Sequence, residues 1–280
     1  MINAHRLRLS TAIFKGAALP VTLGLAVISL WVFTMLTIPL WPLDAPLDMV
    51  GRRLQPPSAA HWFGTDALGR DVLSRTLHGA QFSIPIAIVV VFAAVIIGGA
   101  LGAISGFFGG LIGAAIMRLV DVTLAFPPIL LAMAVAASLG PGLENAAIAM
   151  VVVWWPLYAR LVRAQVLEVR EREHVEAAVA AGAGPMRVLC LHILPLCWTP
   201  VLVNATMDFG QVVLLAASLS FIGLGATPPT PEWGAMIADG AKHFYHWWIA
   251  FGPGMAIFAV VVGFNFVGDG LRDLLDPRTE

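Results

Sequence analysis

Six apolar stretches constrain this chain more than any other feature, because each is close to the roughly 20 residues a helix needs to cross a bilayer. They cover about Ala18–Ile38, Phe82–Ile104, Ile116–Leu139, Asn145–Leu161, Trp198–Ile222 and Trp247–Val267. Hydrophobic residues make up 59% of the 280 and charged residues only 12%, with a mean hydropathy of +0.86. Soluble domains carry about a quarter charged residues. A water-soluble fold of this size has too little interior to hide that much apolar surface, whereas lipid accepts it. The expectation is an all-α integral membrane protein with about six transmembrane helices. A net charge of −1 points to no nucleic-acid partner.

Arg6, Arg8 and Lys15 precede the first apolar run, as in a signal peptide. The uncharged stretch Gly16–Leu43 is too long for a signal core of about 7–15 residues and has no A-x-A cleavage site. It reads as a retained first span, with residues 1–17 a cytoplasmic N-terminal segment. Residues 18–280 then form one membrane domain with its core at about 82–270. Gly106-Phe-Phe-Gly-Gly110, with Gly113 and Arg118 after it, marks the turn between spans two and three. Pro127-Pro128 predicts a kink in span three, and Arg118 with Asp121 predicts a local i, i+3 ion pair. Glu144 and Arg160 leave the fourth span short, to be lengthened by snorkelling of Arg160 and Arg163.

Basic residues set the orientation. With the N-terminus inside, 11 Lys and Arg fall on inner segments and 5 on outer ones, so both termini are expected in the cytoplasm. The first outer loop, Pro39 to Gln81, contains Asp66…Arg70 and Asp71…Arg75, each an acid with a base at i+4. That spacing predicts a short surface helix leading into span two. The inner loop, Val162 to Cys197, is the most polar part of the chain. The last outer loop, Gly223 to His246, opens on Thr227-Pro-Pro-Thr-Pro231, which is incompatible with regular helix.

No phosphate-binding G-x-x-x-x-G-K-[ST] exists, since neither Lys15 nor Lys242 follows such glycines. Nor does G-x-S-x-G or H-E-x-x-H occur. Cys190 and Cys197 have neither disulfide nor zinc spacing and read as small apolar residues. No catalytic residues and no resident cofactor are expected, and ATP-driven work requires another subunit.

The inner loop carries Glu176-Ala177-Ala178, three residues, Gly182, nine residues, then His192-Ile193-Leu194-Pro195. Alanines make a slim helix suited to a partner's groove, and the glycine turns the chain. This pattern resembles the EAA loop of ABC-type importer permeases, with Glu176, Ala177, Ala178, Gly182, Leu194 and Pro195 in register and His192 at the usual isoleucine position. His61-Trp-Phe-Gly-Thr-Asp66, Leu68-Gly-Arg-Asp71, Leu219-Ser-Phe-Ile-Gly-Leu-Gly225, Pro231-Glu-Trp-Gly234 and Gly268-Asp-Gly-Leu-Arg-Asp-Leu-Leu-Asp-Pro277 extend the resemblance from about Arg53 to Arg278. These are similar to landmarks of the dipeptide/oligopeptide/nickel permease family, in its second, shorter subunit.

The resemblance implies a multi-pass subunit of a bacterial inner membrane, with the EAA loop coupling it to ATPases between spans four and five. It implies a second homologous permease, two ABC ATPases that bind ATP and Mg, and an extracytoplasmic solute-binding protein. Di- or oligopeptides are the implied solute, with nickel or metal chelates and other peptide-like compounds as alternatives.

Asn204, Asp208 and Gln211 fall on one helical face of span five. Asp208 lies ten residues beyond Trp198, about 15 Å at the helical rise. A carboxylate at that depth reads either as a polar wall of a translocation pathway or as a helix–helix contact. His243 and His246 form an i, i+3 pair without an evident third ligand, so no metal is expected. From a different class, a self-contained secondary transporter or channel would use the Asp208 carboxylate for ion coupling. An intramembrane enzyme lacks a paired nucleophile and base.

Overall fold

The computed structural model describes the backbone of residues 2–275 and the side chains of residues 19–275. The side chains of the 1–17 segment, Arg278 and the end of the 268–277 landmark lie outside the described residues. Helices α1 (Ile2–Thr37) and α2 (Val72–Phe108) are followed by α3 (Gly110–Leu124), α4 (Pro128–Leu139) and α5 (Leu143–Val169). The short α6 (Glu173–Ala180) leads into α7 (Pro185–Ile222), then α8 (Trp233–Lys242) and α9 (Trp248–Leu275).

Among the described residues five helices (α1, α2, α5, α7 and α9) are long and apolar enough to cross a membrane, and the bent α3–α4 pair, taken as one span, would make a sixth. Leu111 is 91% exposed and Phe258 60% exposed, as suits side chains that lipid rather than water covers. Internal prolines at Pro85, Pro156, Pro200 and Pro253 are accommodated, as membrane helices allow.

The expected kink is a break. α3 and α4 meet at 94°, with Pro128 opening α4 where its missing N–H is not needed. Span four is longer than expected, because α5 continues through Arg160 and Arg163 to Val169. The expected Arg118–Asp121 pair does not form. Asp121 instead accepts from Arg160 Nη2 at 2.6 Å, joining α3 to α5 across an exposed surface. Only Arg118 satisfies the local spacing, and it is the packing of α3 on α5 that brings Arg160, 39 residues away, to Asp121.

The core lies where α2 packs along α5, with α7 and α9 beside them. α1 rests mainly on α9. Close approach of α2 and α5 depends on glycine: a Cβ on Gly98 or Gly102 would collide with the α5 backbone at Trp155 and Ala159. Tyr158, Met150 and Val90 fill the surrounding space and are all but fully buried.

The predicted surface helix over 66–75 is replaced by a buried knot, and this corrects the i+4 reading. Asp66 is 2% exposed; its side chain accepts from Arg70 Nε at 2.6 Å and from the N–H groups of Leu68 and Arg70. These bonds close a turn rather than a helix. Arg75 Nε lies 3.5 Å from the same carboxylate, and its Nη1 donates to Pro46 O at 2.9 Å. Helix begins only at Val72, where Asp71 accepts from the Ser74 N–H as N-cap and from His61 Nδ1 on its other oxygen.

A second buried carboxylate fastens this region to α8. Glu232, 1% exposed, caps α8 through the Ala235 N–H and accepts from Ser83 of α2 at 3.2 Å. Trp233 is wholly buried and its indole N–H donates to Thr76 O at 2.8 Å.

Candidate functional site

The segment from Glu173 to Pro195 folds as a short helix, a sharp turn and a wide helical turn. α6 has eight residues and buries only Val175 against the body of the protein. Glu176 and Ala177 are exposed, Ala178 is half-buried, and Val179 is 58% exposed. At its end the Ala183 N–H donates to Ala178 O and the Gly182 N–H to Val179 O. That is the paired bonding of a Schellman cap, which requires a left-handed residue. Gly182 supplies it at φ +83°. Nothing lies within 4 Å of where its Cβ would be, so the turn itself demands glycine here, and neighbouring atoms do not.

After Gly184 the chain re-enters the membrane body through π-helical residues Val188–Ile193. His192, at the position where isoleucine is usual, is half-buried, and its carbonyl lies 3.3 Å from His174 Nε2. Ile193 beside it is completely buried. Leu194 packs on the core and Pro195 sits in the following helical turn. Met186 and Leu191, each 62% exposed, continue the apolar surface begun by Val179. The six residues singled out in this loop are thus gathered in one structural unit, whose exposed side chains include Val179, Met186 and Leu191 beside Glu173, Glu176 and Arg187.

The three polar residues of span five share one side of α7. Asn204 and Gln211 are exposed, and Asp208 between them is half-buried. Asn204 Nδ2 returns to Pro200 O, the carbonyl one turn earlier. Asp208 Oδ2 accepts from the Tyr158 hydroxyl at 2.6 Å, which links α7 to α5. Tyr158 was not legible as a partner, because it lies 50 residues away and only the packing of α5 on α7 brings it close. The Trp154 indole, one turn before Tyr158, also faces Asp208, though its Nε1 does not reach hydrogen-bond geometry.

His243 and His246 stack edge to face with ring centroids 6.4 Å apart. His243 Nδ1 is engaged by Asp239 O at 3.0 Å. Among the described residues no three His, Cys, Asp or Glu side chains come together as metal ligands.

Residues 98–280 match the family described as binding-protein-dependent transport system inner membrane component. The probable D,D-dipeptide transport system permease protein DdpC of Escherichia coli K12 is 47% identical over 94% of this chain and 89% of its own length. The dipeptide transport system permease protein DppC of Alkalihalophilus pseudofirmus is 48% identical over 81% of this chain and 75% of its own. The glutathione transport system permease protein GsiD of Pectobacterium atrosepticum is 42% identical over 89% of this chain and 85% of its own. Among solved structures, a chain of the inward-facing MetNI methionine ABC transporter superposes with a TM-score of 0.59 at 22% identity, over 72% of this chain and 97% of that one, which shows a shared fold. The chain belongs to the binding-protein-dependent transport system inner membrane component family, and is a multi-pass inner-membrane permease subunit of an ABC importer.

Proposed function

We propose that this subunit forms, with a second permease, the pathway by which short peptides cross the membrane, and that Glu173–Pro195 is the surface through which separate ATPases drive it. The observation that carries this is the set of apolar side chains on this unit, Val179, Met186 and Leu191, which stand 58–62% exposed among the described residues. In this reading Glu176, Ala177, Ala178 and Gly182 seat α6 in a groove of an ATPase, and Leu194 and Pro195 anchor its return into α7. ATP and Mg belong to that partner.

Peptides are favoured because relatives 42–48% identical are named for dipeptides, D,D-dipeptides and glutathione. A solute-binding protein outside the membrane would deliver them, as the family description implies. Residues 18–280 act as one permease domain, with both termini and the segment 1–17 in the cytoplasm. Asn204, Asp208 and Gln211 form a polar strip of the pathway wall, because half-exposed polar groups at membrane depth are costly against lipid.

Replacing Gly182 with Trp tests the coupling role. The site is sterically open, so the bulk acts on the docking partner, and the positive φ strains the turn as well. The subunit should insert normally while solute-stimulated ATP hydrolysis and uptake fall by about tenfold or more, roughly 1.4 kcal/mol of coupling. Wild-type stimulation would end the coupling reading. Orientation is checked separately in a cysteine-free background. Single cysteines at Ser58 and Thr230 should label from outside intact cells, and one at Glu173 only after permeabilisation.

A further inference from the structure

Beside the Asp66 knot, between the first outer loop and α8, lies a cavity of about 280 Å³. Its charged lining is Asp66, Arg70, Arg75, Asp239 and Lys242, two carboxylates against three cations. Asp66 is already shared by both arginines. Arg70 is 6% exposed and Arg75 5%, so both charges are held with little water around them. Arg70 commits its side-chain Nε, and Arg75 its Nε and Nη1. Among the described residues no acceptor meets the Nη groups of Arg70 or Nη2 of Arg75, and neither Asp239 nor Lys242 forms an ion pair. The cavity therefore holds surplus positive charge and unused guanidinium donors, the geometry that a carboxylate satisfies in a forked, two-bond contact.

The surroundings suit a protein ligand. Immediately after Lys242, Phe244 is 84% exposed and Tyr245 89% exposed. Aromatic residues beside arginine are the composition of energetically dominant interface patches. The cavity has room for one acidic side chain but not for a folded element. Its walls come from the loop before α2, the first turn of α2, the Pro228-Pro229-Thr230 segment, α8 and the first residues of α9, while Asn204, Asp208 and Gln211 of α7 take no part in it.

We infer that this cavity is a docking socket for an acidic side chain on the extracytoplasmic solute-binding protein, with Arg70 and Arg75 as the fixed cations and Lys242 as the outer guide. The inference rests on the orientation proposed above. It differs from the general expectation that a binding protein docks on the outer face, because it assigns the charge sign, the socket and the residues.

The test uses the assembled importer in phosphatidylcholine nanodiscs and its binding protein, purified free of solute. Arg70 and Arg75 are left intact because they also hold Asp66. Lys242→Glu should weaken association about tenfold at low salt and Asp239→Asn should tighten it about threefold, with both differences shrinking as ionic strength rises. A merely structural role would weaken binding in both variants, and that result overturns the socket. So does binding unchanged in both. An effect seen only with peptide-loaded binding protein, and lost when the peptide is amidated, would move the carboxylate to the solute and overturn the inference in its present form. Thr230→Cys, which lines the same cavity, is labelled in parallel. Labelling from the inside alone would sink the orientation and the socket together, whereas labelling from outside with unmoved binding sinks only the socket.

Discussion

Glycine shapes both the α2–α5 contact and the α6 unit, for opposite reasons. At Gly98 and Gly102 the backbone conformation is ordinary helix, and space is what matters, because the α5 backbone occupies the place of a side chain. At Gly182 the space is empty and the conformation matters, at φ +83°. The first region is a dry joint between helices and tolerates no added atom. The second is an exposed turn with open space around Gly182. In the reading proposed above, the protein's rigidity lies in one region and its docking surface in the other, so the same substitution reports different properties at the two sites.

Gly98→Val carries the largest expected effect. Overpacking against a backbone costs about 1–3 kcal/mol or more, and abundance of the inserted subunit should drop several-fold, with uptake falling in proportion. Abundance near wild type would mean that α2 and α5 can separate, and the contrast with Gly182 would collapse.

Asp208 comes next and sits between the two kinds of region. Tyr158→Phe removes a hydrogen bond to a charged group, a contribution of about 1.5–3 kcal/mol. If Asp208 mainly joins α5 to α7, Tyr158→Phe and Asp208→Asn should both lower the amount of assembled complex. If it lines the pathway, Asp208→Asn should keep assembly and change uptake rate or solute preference, with Asn204→Ala and Gln211→Ala following it. Yield and uptake measured on the same membranes separate the outcomes.

Gly182→Ala sharpens the comparison further. A Cβ meets no neighbour there, so only the left-handed conformation is penalised, by about 1–2 kcal/mol. Uptake should fall modestly, well short of the Trp variant, and Gly182→Asn should recover part of it. The smallest effect belongs to Arg160→Gln. Its pair with Asp121 has side chains 56% and 60% exposed, and such pairs contribute less than about 1 kcal/mol. Thermal stability of the solubilised subunit should be nearly unchanged.

Most of the fold was legible because spans are written locally, in runs of apolar residues with glycine and proline at their ends. Pro127-Pro128 and Gly106–Gly110 marked real interruptions. The slim helix over Glu176-Ala177-Ala178 and the turn at Gly182 were also legible, since every bond of that turn is short-range. Charge pairing was read less well. Asp66 with Arg70 has helical spacing, yet the carboxylate bonds backbone N–H groups and closes a turn. Asp121 chose Arg160 over Arg118 because helix crossing, absent from local spacing, decides distance. Glu232, Trp233 and Tyr158 owe their roles to contacts 50 to 157 residues away in sequence.

The length of α2 has a mechanical consequence. Its 37 residues extend about 55 Å at the helical rise, well beyond the bilayer's apolar thickness of about 30 Å. Its first turn is knotted to Asp66 and the α8 cap, and near its last turn Gly106 O accepts at 3.1 Å from Arg170, which follows α5 three residues before α6 begins. A rod of this kind works as a lever. A tilt of about 10° about its middle carries each end about 5 Å in opposite directions. In the orientation proposed above, movement imposed at the inner end would reach the outer face along the rod itself, and Pro85, the internal proline of α2, is a place where such a stroke can be absorbed.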